Sequence, residues 1–184
     1  MPVPVDPAAL PGLVAERLQG RSGTCWVGVD GFGGAGKTTL AALLALALPG
    51  AAVVHVDDFA RPDLTGWERT RFLAQVVAPL AAGRPARYQR WDWDSDTGAE
   101  WHCVPPGVPV VVEGVSSTDV RLGVPWDVVV WVEADREVRL ARALARDGED
   151  MLERWLTDWI PSEQSWAADQ RPRDRADFCV RTDR

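Results

Sequence analysis

Short, almost wholly apolar runs recur along this chain, separated by longer segments of helical period. The runs are Thr24 to Val29, Ala51 to Val56, Val108 to Val112, Asp127 to Val132 and the short Phe178-Cys179-Val180. Valine-rich runs of this length without polar alternation predict strands buried on both faces. Pro7 to Gln19 carries Leu10, Leu13, Val14 and Leu18 at helical spacing and stops at Gly20. Lys37 to about Leu48 is apolar nearly all round, through Leu40, Ala41, Leu43, Leu44, Leu46 and Leu48, which predicts a helix buried against a sheet and ended by Pro49-Gly50. Trp67 to Ala82 sets Phe72, Leu73, Val76, Val77 and Leu80 on one side, before Gly83-Arg84-Pro85 breaks it. Arg136 to Arg146 points Val138, Leu140 and Leu144 inward and keeps Arg139, Arg142 and Arg146 on one face; Asp150 to Trp166 continues helically, with Trp155, Trp159 and Trp166 spaced so that two share a face. Strands alternating with helices predict an open, mostly parallel α/β sheet with helices on both faces.

One stretch has no helical period. Tyr88-Gln89-Arg90-Trp91-Asp92-Trp93-Asp94 and Glu100-Trp101-His102 crowd aromatics and acids together. Two readings are open: a hairpin or loop whose rings cover the edge of the core, or a flap over a substrate, its rings stacking on a planar group and its acids binding hydroxyls.

The residues with the most specific chemistry lie between the first strand and the helix after it: Asp30-Gly31-Phe32-Gly33-Gly34-Ala35-Gly36-Lys37-Thr38-Thr39. Gly31, Gly36, Lys37 and Thr38 fit G-x-x-x-x-G-K-[ST], a phosphate-binding P-loop. Glycines let the backbone take positive φ and approach an anion without an intervening Cβ, so that the amides from Gly33, Gly34, Ala35 and Gly36 through Thr39 can converge on phosphate oxygens. Lys37 would neutralise the β/γ oxygens of a triphosphate, and the Thr38 hydroxyl would ligate Mg²⁺. Two plainer explanations compete. The glycines also fit the dinucleotide fingerprint G-x-G-x-x-G, with Asp57 near the place of a ribose-binding acid. Neither that fold nor a merely tight turn requires Lys-Thr after the last glycine, and Lys37 is the only lysine in the chain. The expectation is a P-loop NTPase-type α/β fold that binds a nucleoside triphosphate. Asp57-Asp58 and Glu113 close the next two apolar runs, at the strand ends where ligand-facing residues collect in such sheets.

Composition narrows the partners. At 184 residues, 46% hydrophobic and 26% charged, one globular domain over 1–184 is expected, without repeat or linker. A net charge of −7 argues against nucleic acid, and the arginines near residues 136–146 and 171–184 are interleaved with acids, as on a solvated helix face. Cys25, Cys103 and Cys179 are odd in number and widely spaced, so buried free thiols are expected at Cys25 and Cys179, and nothing resembles a zinc cluster. No signal-like or membrane-spanning run is seen, so a cytoplasmic chain without a membrane partner is expected, with assembly into a homo-oligomer left open.

The order of these elements resembles the uridine kinase family, whose relatives include phosphoribulokinase and nicotinamide riboside kinase. The similarity rests on Gly31 to Thr39, Asp57-Asp58-Phe59, Trp91-Asp92-Trp93, Glu113-Gly114 and the arginines from Arg139 to Asp147. It implies Asp57 as base on a substrate hydroxyl, Asp58, Trp91, Asp92 and Trp93 on the acceptor side, Glu113 at the magnesium, and Arg142 and Arg146 on the transferring phosphoryl group. The read residues leave Arg139 as a surface ion pair. The chain departs from the family at Ala60 and Trp91, where an aromatic and a tyrosine are usual, and after Asp147, where a longer arginine-rich lid is usual. Residues of about 88–105 are then a substrate-covering flap and about 139–175 a lid, with Arg171 or Arg173 as substitutes for the lid's arginines. The implied activity is transfer of the γ-phosphoryl group of ATP, with Mg²⁺, to a hydroxyl of a small molecule, a nucleoside first; a vitamin riboside, sugar or antibiotic, or a nucleotide hydrolase or switch, remain alternatives.

Overall fold

The computed structural model describes all residues except 62, 63, 65, 93, 94 and 184. Its strands are β1 (Val3–Val5), β2 (Cys25–Gly31), β3 (Ala52–His55), β4 (Ala86–Asp92), β5 (Thr97–Val104), β6 (Pro109–Glu113), β7 (Val128–Glu133) and β8 (Phe178–Arg181). Six form one sheet in the order β1-β8-β7-β2-β6-β3, every neighbouring pair parallel, and β4 and β5 form a separate antiparallel hairpin. Helices are α1 (Leu10–Leu18), α2 (Lys37–Ala47), α3 (69–81), α4 (Arg136–Asp147), α5 (152–170) and α6 (Pro172–Arg175). The chain leaves β2 toward β3 and β6 on one side, then crosses to β7 and β8 on the other. The connections therefore diverge beside β2, and the crevice at that switch point is where open α/β sheets bind ligands.

The two faces of the sheet bury separate cores by simple alternation. Val27, Val29 and Val111 join Leu10, Val14, Leu40 and Leu44 beneath α1 and α2. Trp26, Val110 and Val112 join Phe59, Phe72, Val76, Leu80 and Tyr88 beneath α3 and the hairpin. Both α3 and α5 contain one π-wound turn, at Leu73–Val77 and Trp155–Trp159. Each is followed by a proline, Pro79 or Pro161, whose i−4 carbonyl lies within the wide turn. Opening the turn relieves the clash between the proline ring and that carbonyl.

The structure corrects the periodicity in four places. Val3–Val5 is a strand on the open edge beside β8, unannounced because Pro4 is its central residue and Pro2 precedes it; an edge tolerates their missing amide donors. Helix α2 is buried along Lys37, Leu40, Ala41 and Leu44 only, while Leu43 is 43% and Leu46 86% exposed, because nothing packs outside that helix layer. The run Ala52–His55 lies at an edge rather than being flanked on both sides. In α4 the fully buried positions are Arg139 and Ala143, with Val138, Leu140 and Leu144 half-buried. Cys25 and Cys179 are buried free thiols, as expected, and Cys103 is exposed. Among the described residues no helix is long and apolar enough to cross a membrane.

Candidate active site

The loop between β2 and α2 is shaped by its glycines. Gly34 and Gly36 take φ of 73° and 89°, and Gly31 takes 155°. A Cβ on Gly34 would run into the carbonyl of Arg139, and one on Gly31 into that of Val132, so the loop lies against the start of α4 and the end of β7 at a distance only glycine permits. Gly36 is the N-cap of α2 and no side chain caps it, which leaves the positive end of the helix turned to the crevice. The Lys37 ammonium, largely buried, donates to the Phe32 carbonyl at 2.9 Å and so arches over the loop.

Beneath the loop Asp30, at 0% exposure, accepts four hydrogen bonds. Its Oδ1 takes the amides of Gly31 (2.8 Å) and Ser116 (3.0 Å), and its Oδ2 takes the amide and hydroxyl of Thr118 (2.8 and 2.6 Å). Burial raises its carboxyl, and these donors and Lys37 pull against that rise. Asp30 thus ties the P-loop to the segment that follows β6, just beyond Glu113 at the strand's end.

Residues from three strand ends meet above it. Thr38 at the head of α2 donates its hydroxyl to Glu113 Oε1 at 3.0 Å, and His55 Nδ1 lies 2.6 Å from the same oxygen. Burial works to raise Glu113, but the His55 hydrogen bond, Lys37 and Thr38 outweigh it and hold the carboxyl below its usual range. Asp57, in the turn Val56–Phe59 after β3, opens onto the crevice. Lost hydration and then the charge of Glu113 raise its carboxyl, while Lys37, Arg146 and His55 oppose the rise, which places Asp57 within electrostatic reach of all four. Asp58 turns the other way. It is buried under the hairpin and accepts from the Tyr88 hydroxyl at 3.1 Å, with Tyr88 stacked on His102 at 5.1 Å. A hydroxyl and a carboxylate oxygen 3.0 Å apart are the hard donors Mg²⁺ takes. No cluster of three or more His, Cys, Asp or Glu among the described residues could cage a metal alone, and Mg²⁺ held through one or two protein groups plus phosphates needs none. The residues fit that ion.

The arginines separate by position. Arg146 pairs with Asp147 (2.6 Å) and feels the charges of Asp57 and Glu113, so it faces the crevice. Arg142 is engaged elsewhere: it clasps the hydroxyl and carbonyl of Thr182 (3.0 and 2.7 Å), and the Thr182 hydroxyl donates to Ala35 at 2.8 Å on the flank of the P-loop. Arg139 is not the surface ion pair the sequence suggested. It is buried, donates to the carbonyls of Ala134 (3.1 Å) and Gly33 (3.3 Å), and lies over the Phe32 ring at 4.8 Å. Arg171 pairs with Asp174 and Arg173 with Glu133, on the side of the loop near Phe32 and Trp131.

Two residues of α5 reach the P-loop without any sequence signal. Glu163 is 8% exposed and accepts the Gly33 amide on both oxygens, at 3.1 and 3.0 Å, with Arg139 Nη1 4.0 Å away. The Trp155 ring lies against Gly33, where a Cβ would come within 2.5 Å of it. The contact spans 130 residues of chain, so no local pattern could have announced it.

The aromatic stretch is a hairpin, a form that both readings allow. Tyr88 faces the core against Phe59 at 4.9 Å, and the register shifts between Gln89 and Trp91. Trp91 is half-buried, donates Nε1–H to Asp96 at 3.1 Å and lies under the Arg61 guanidinium at 5.3 Å. Asp92 accepts from the Ser95 amide at 3.1 Å and Arg90 at 3.4 Å, within the hairpin turn. Trp93 lies outside the described residues.

Neither a family model nor a curated protein matches this chain in sequence. Solved structures do match in fold. A protein described as a possible uridine kinase from Bacillus stearothermophilus superposes with a TM-score of 0.70 at 18% identity, over 92% of this chain and 96% of its own. A protein from Silicibacter sp. TM1040, provisionally described as a fructose transport system kinase, superposes with a TM-score of 0.76 at 23% identity, over 94% and 98%. The chain has the α/β fold of these two proteins. At such identities the likeness speaks for the fold and not for the substrate.

Proposed function

We propose that this chain is a kinase that transfers the γ-phosphoryl group of ATP to a hydroxyl of a small molecule, with a nucleoside as the first acceptor to test. The observation that carries the reading is the meeting of Lys37, Thr38, Glu113 and Asp57, drawn from three strand ends, at the crevice beside β2. Phosphoryl transfer asks a protein for positioning and charge neutralisation more than for covalent chemistry. The loop amides and Lys37 hold the β- and γ-phosphates, and Thr38 with Glu113 would hold Mg²⁺, which when bound neutralises charge on those phosphates. Asp57 accepts the proton of the acceptor hydroxyl as its oxygen bonds to phosphorus and the bond from phosphorus to the β,γ-bridging oxygen breaks. A carboxyl raised by lost hydration and by the neighbouring Glu113 charge is a stronger base than an ordinary aspartate. Arg146 faces the same space and offsets the charge of the group in transit.

A sugar is the second acceptor class, favoured by the higher fold similarity to the protein described as a fructose transport system kinase. The test is ATP consumption against a panel of ribosides and hexoses, with Lys37→Ala as control. Lys37 arches over the loop and in this reading meets the phosphates, so its removal should lower turnover by about 100-fold or more with the fold intact. Near-normal turnover in Lys37→Ala, or no acceptor-dependent ADP release with any member of the panel, would remove the kinase reading.

A further inference from the structure

The carboxylate of Glu163 sits where an anion belongs. It takes the Gly33 amide on both oxygens at 3.0–3.1 Å, it is almost wholly buried, and its nearest cation, Arg139, is 4.0 Å away and spends its own hydrogen bonds on backbone carbonyls. Burying a carboxylate is unfavourable unless donors compensate, and the donor used here is a P-loop amide. Its position along the loop is specific. Gly33 lies upstream of the helix-start amides of Gly36 to Thr38, and Glu163 is within electrostatic reach of both Lys37 and Asp57. In the kinase reading those two residues flank the phosphoryl group being transferred.

We propose that the Glu163 carboxylate, seated on the Gly33 amide, stands where the γ-phosphoryl group of a bound nucleotide would lie, so that a nucleoside triphosphate must expel it and a diphosphate need not. The inference rests on the ATP-dependent reading above and deepens it by naming a residue that sets which nucleotide binds. Two like charges cannot share one nest, so binding of a γ-phosphate moves the carboxylate and with it part of α5. The chain has the means to move. Gly148, at φ 100°, separates α4 from the segment that follows, and the first turns of α5 pack through Trp155, Trp159 and Ile160 onto α4 in a small cluster apart from the two main cores. The same contacts define the seated state: with Glu163 on Gly33, the Trp155 ring closes over the loop. The diphosphate released after transfer lacks the group that competes with Glu163, so the carboxylate can reseat while that product is still bound.

The experiment measures nucleotide affinity by titration calorimetry for the wild type and Glu163→Gln, using the Mg²⁺ complexes of a β,γ-imido ATP analogue and of ADP. Glutamine keeps the volume but has one uncharged oxygen to accept the Gly33 amide where the carboxylate used two, so the seated state loses most of its hold and its repulsion of a phosphate together. The expected result is an analogue Kd about tenfold lower in the variant, the factor for a seated state that holds about nine molecules in ten, with ADP changed less than about twofold. In the wild type, amide exchange across 152–170 should quicken with the analogue and stay unaltered with ADP, a readout that needs no variant to fold. An analogue that binds the variant no tighter, or more weakly, would make Glu163 a permanent buttress of the loop and overturn the inference while leaving the kinase reading in place. Unaltered exchange across 152–170 on analogue binding would overturn it as well. Absence of nucleotide binding in both proteins would remove the triphosphate reading itself, and the inference with it.

Discussion

Asp30→Asn keeps the shape of a fully buried side chain and inverts half of its hydrogen-bonding. The carboxylate accepts from four donors, two on each oxygen. An amide has one acceptor oxygen and one donating nitrogen. With nitrogen on the Oδ1 side it would confront the amides of both Gly31 and Ser116. With nitrogen on the Oδ2 side, the Thr118 hydroxyl can rotate to accept, and only the Thr118 amide is confronted. The second arrangement is the better one, and it leaves two buried N–H groups without partners, at about 1–3 kcal/mol each. Volume is unchanged, so no cavity contributes. Burial already disfavours the charge on Asp30, and the neutral amide recovers part of that penalty. The expected loss is therefore about 2–3 kcal/mol, in the lower half of the range. For a chain of this size that corresponds to a fall in Tm of about 4–12 °C. Urea denaturation followed by circular dichroism checks the free energy, and an unchanged m-value shows that the native state is otherwise the same. Because Asp30 ties the P-loop to residues 116–118, nucleotide affinity should fall with stability, and the amides of Ser116 and Thr118 should exchange faster. A Tm within about 2 °C of the wild type, with exchange at Ser116 and Thr118 unaltered, would refute the idea that this carboxylate holds the two segments together.

Three further outcomes are expected. Thr38→Val removes the hydroxyl 3.0 Å from Glu113 while keeping shape; turnover should fall and need more Mg²⁺, and an unchanged Mg²⁺ titration would take Thr38 out of the metal site. Asp57 must be ionised to accept a proton, and its carboxyl is raised, so kcat/KM should rise with pH along an acidic limb lying above the ordinary aspartate value, and Asp57→Asn should abolish that limb together with nearly all turnover; a limb at or below the ordinary value would contradict the assignment. Trp91→Ala should raise the acceptor's KM roughly 5- to 100-fold with the KM for ATP nearly unchanged, the range for one lost ring stack of about 1–3 kcal/mol, whereas a lower Tm with both KM values intact would make the ring, held by Asp96 and Arg61, a brace of the hairpin alone.

The sequence by itself determined whatever depends on neighbours in the chain. The strand runs, the helices and the P-loop follow from side-chain type at fixed short spacing. Positive φ at Gly34 and Gly36 and the seating of Lys37 on Phe32, five residues away, are local consequences of those residues. Asp57 and Glu113 were legible because strand ends in a parallel sheet point to one edge. What tertiary structure decided lies across long separations. Periodicity placed Arg139 on an outer face, yet the sheet order sets α4 beside Phe32 and Gly33, and the guanidinium is buried there by carbonyls 5 and 106 residues away. Asp30 reads as a polar residue before a glycine loop until β6 is known to be its neighbour, when donors 86 and 88 residues distant converge on it. Glu163 carries no pattern at all, because its partner is a single backbone amide that any residue would have supplied. Periodicity records only how a segment faces its surroundings; the pairing of strands decides what those surroundings are.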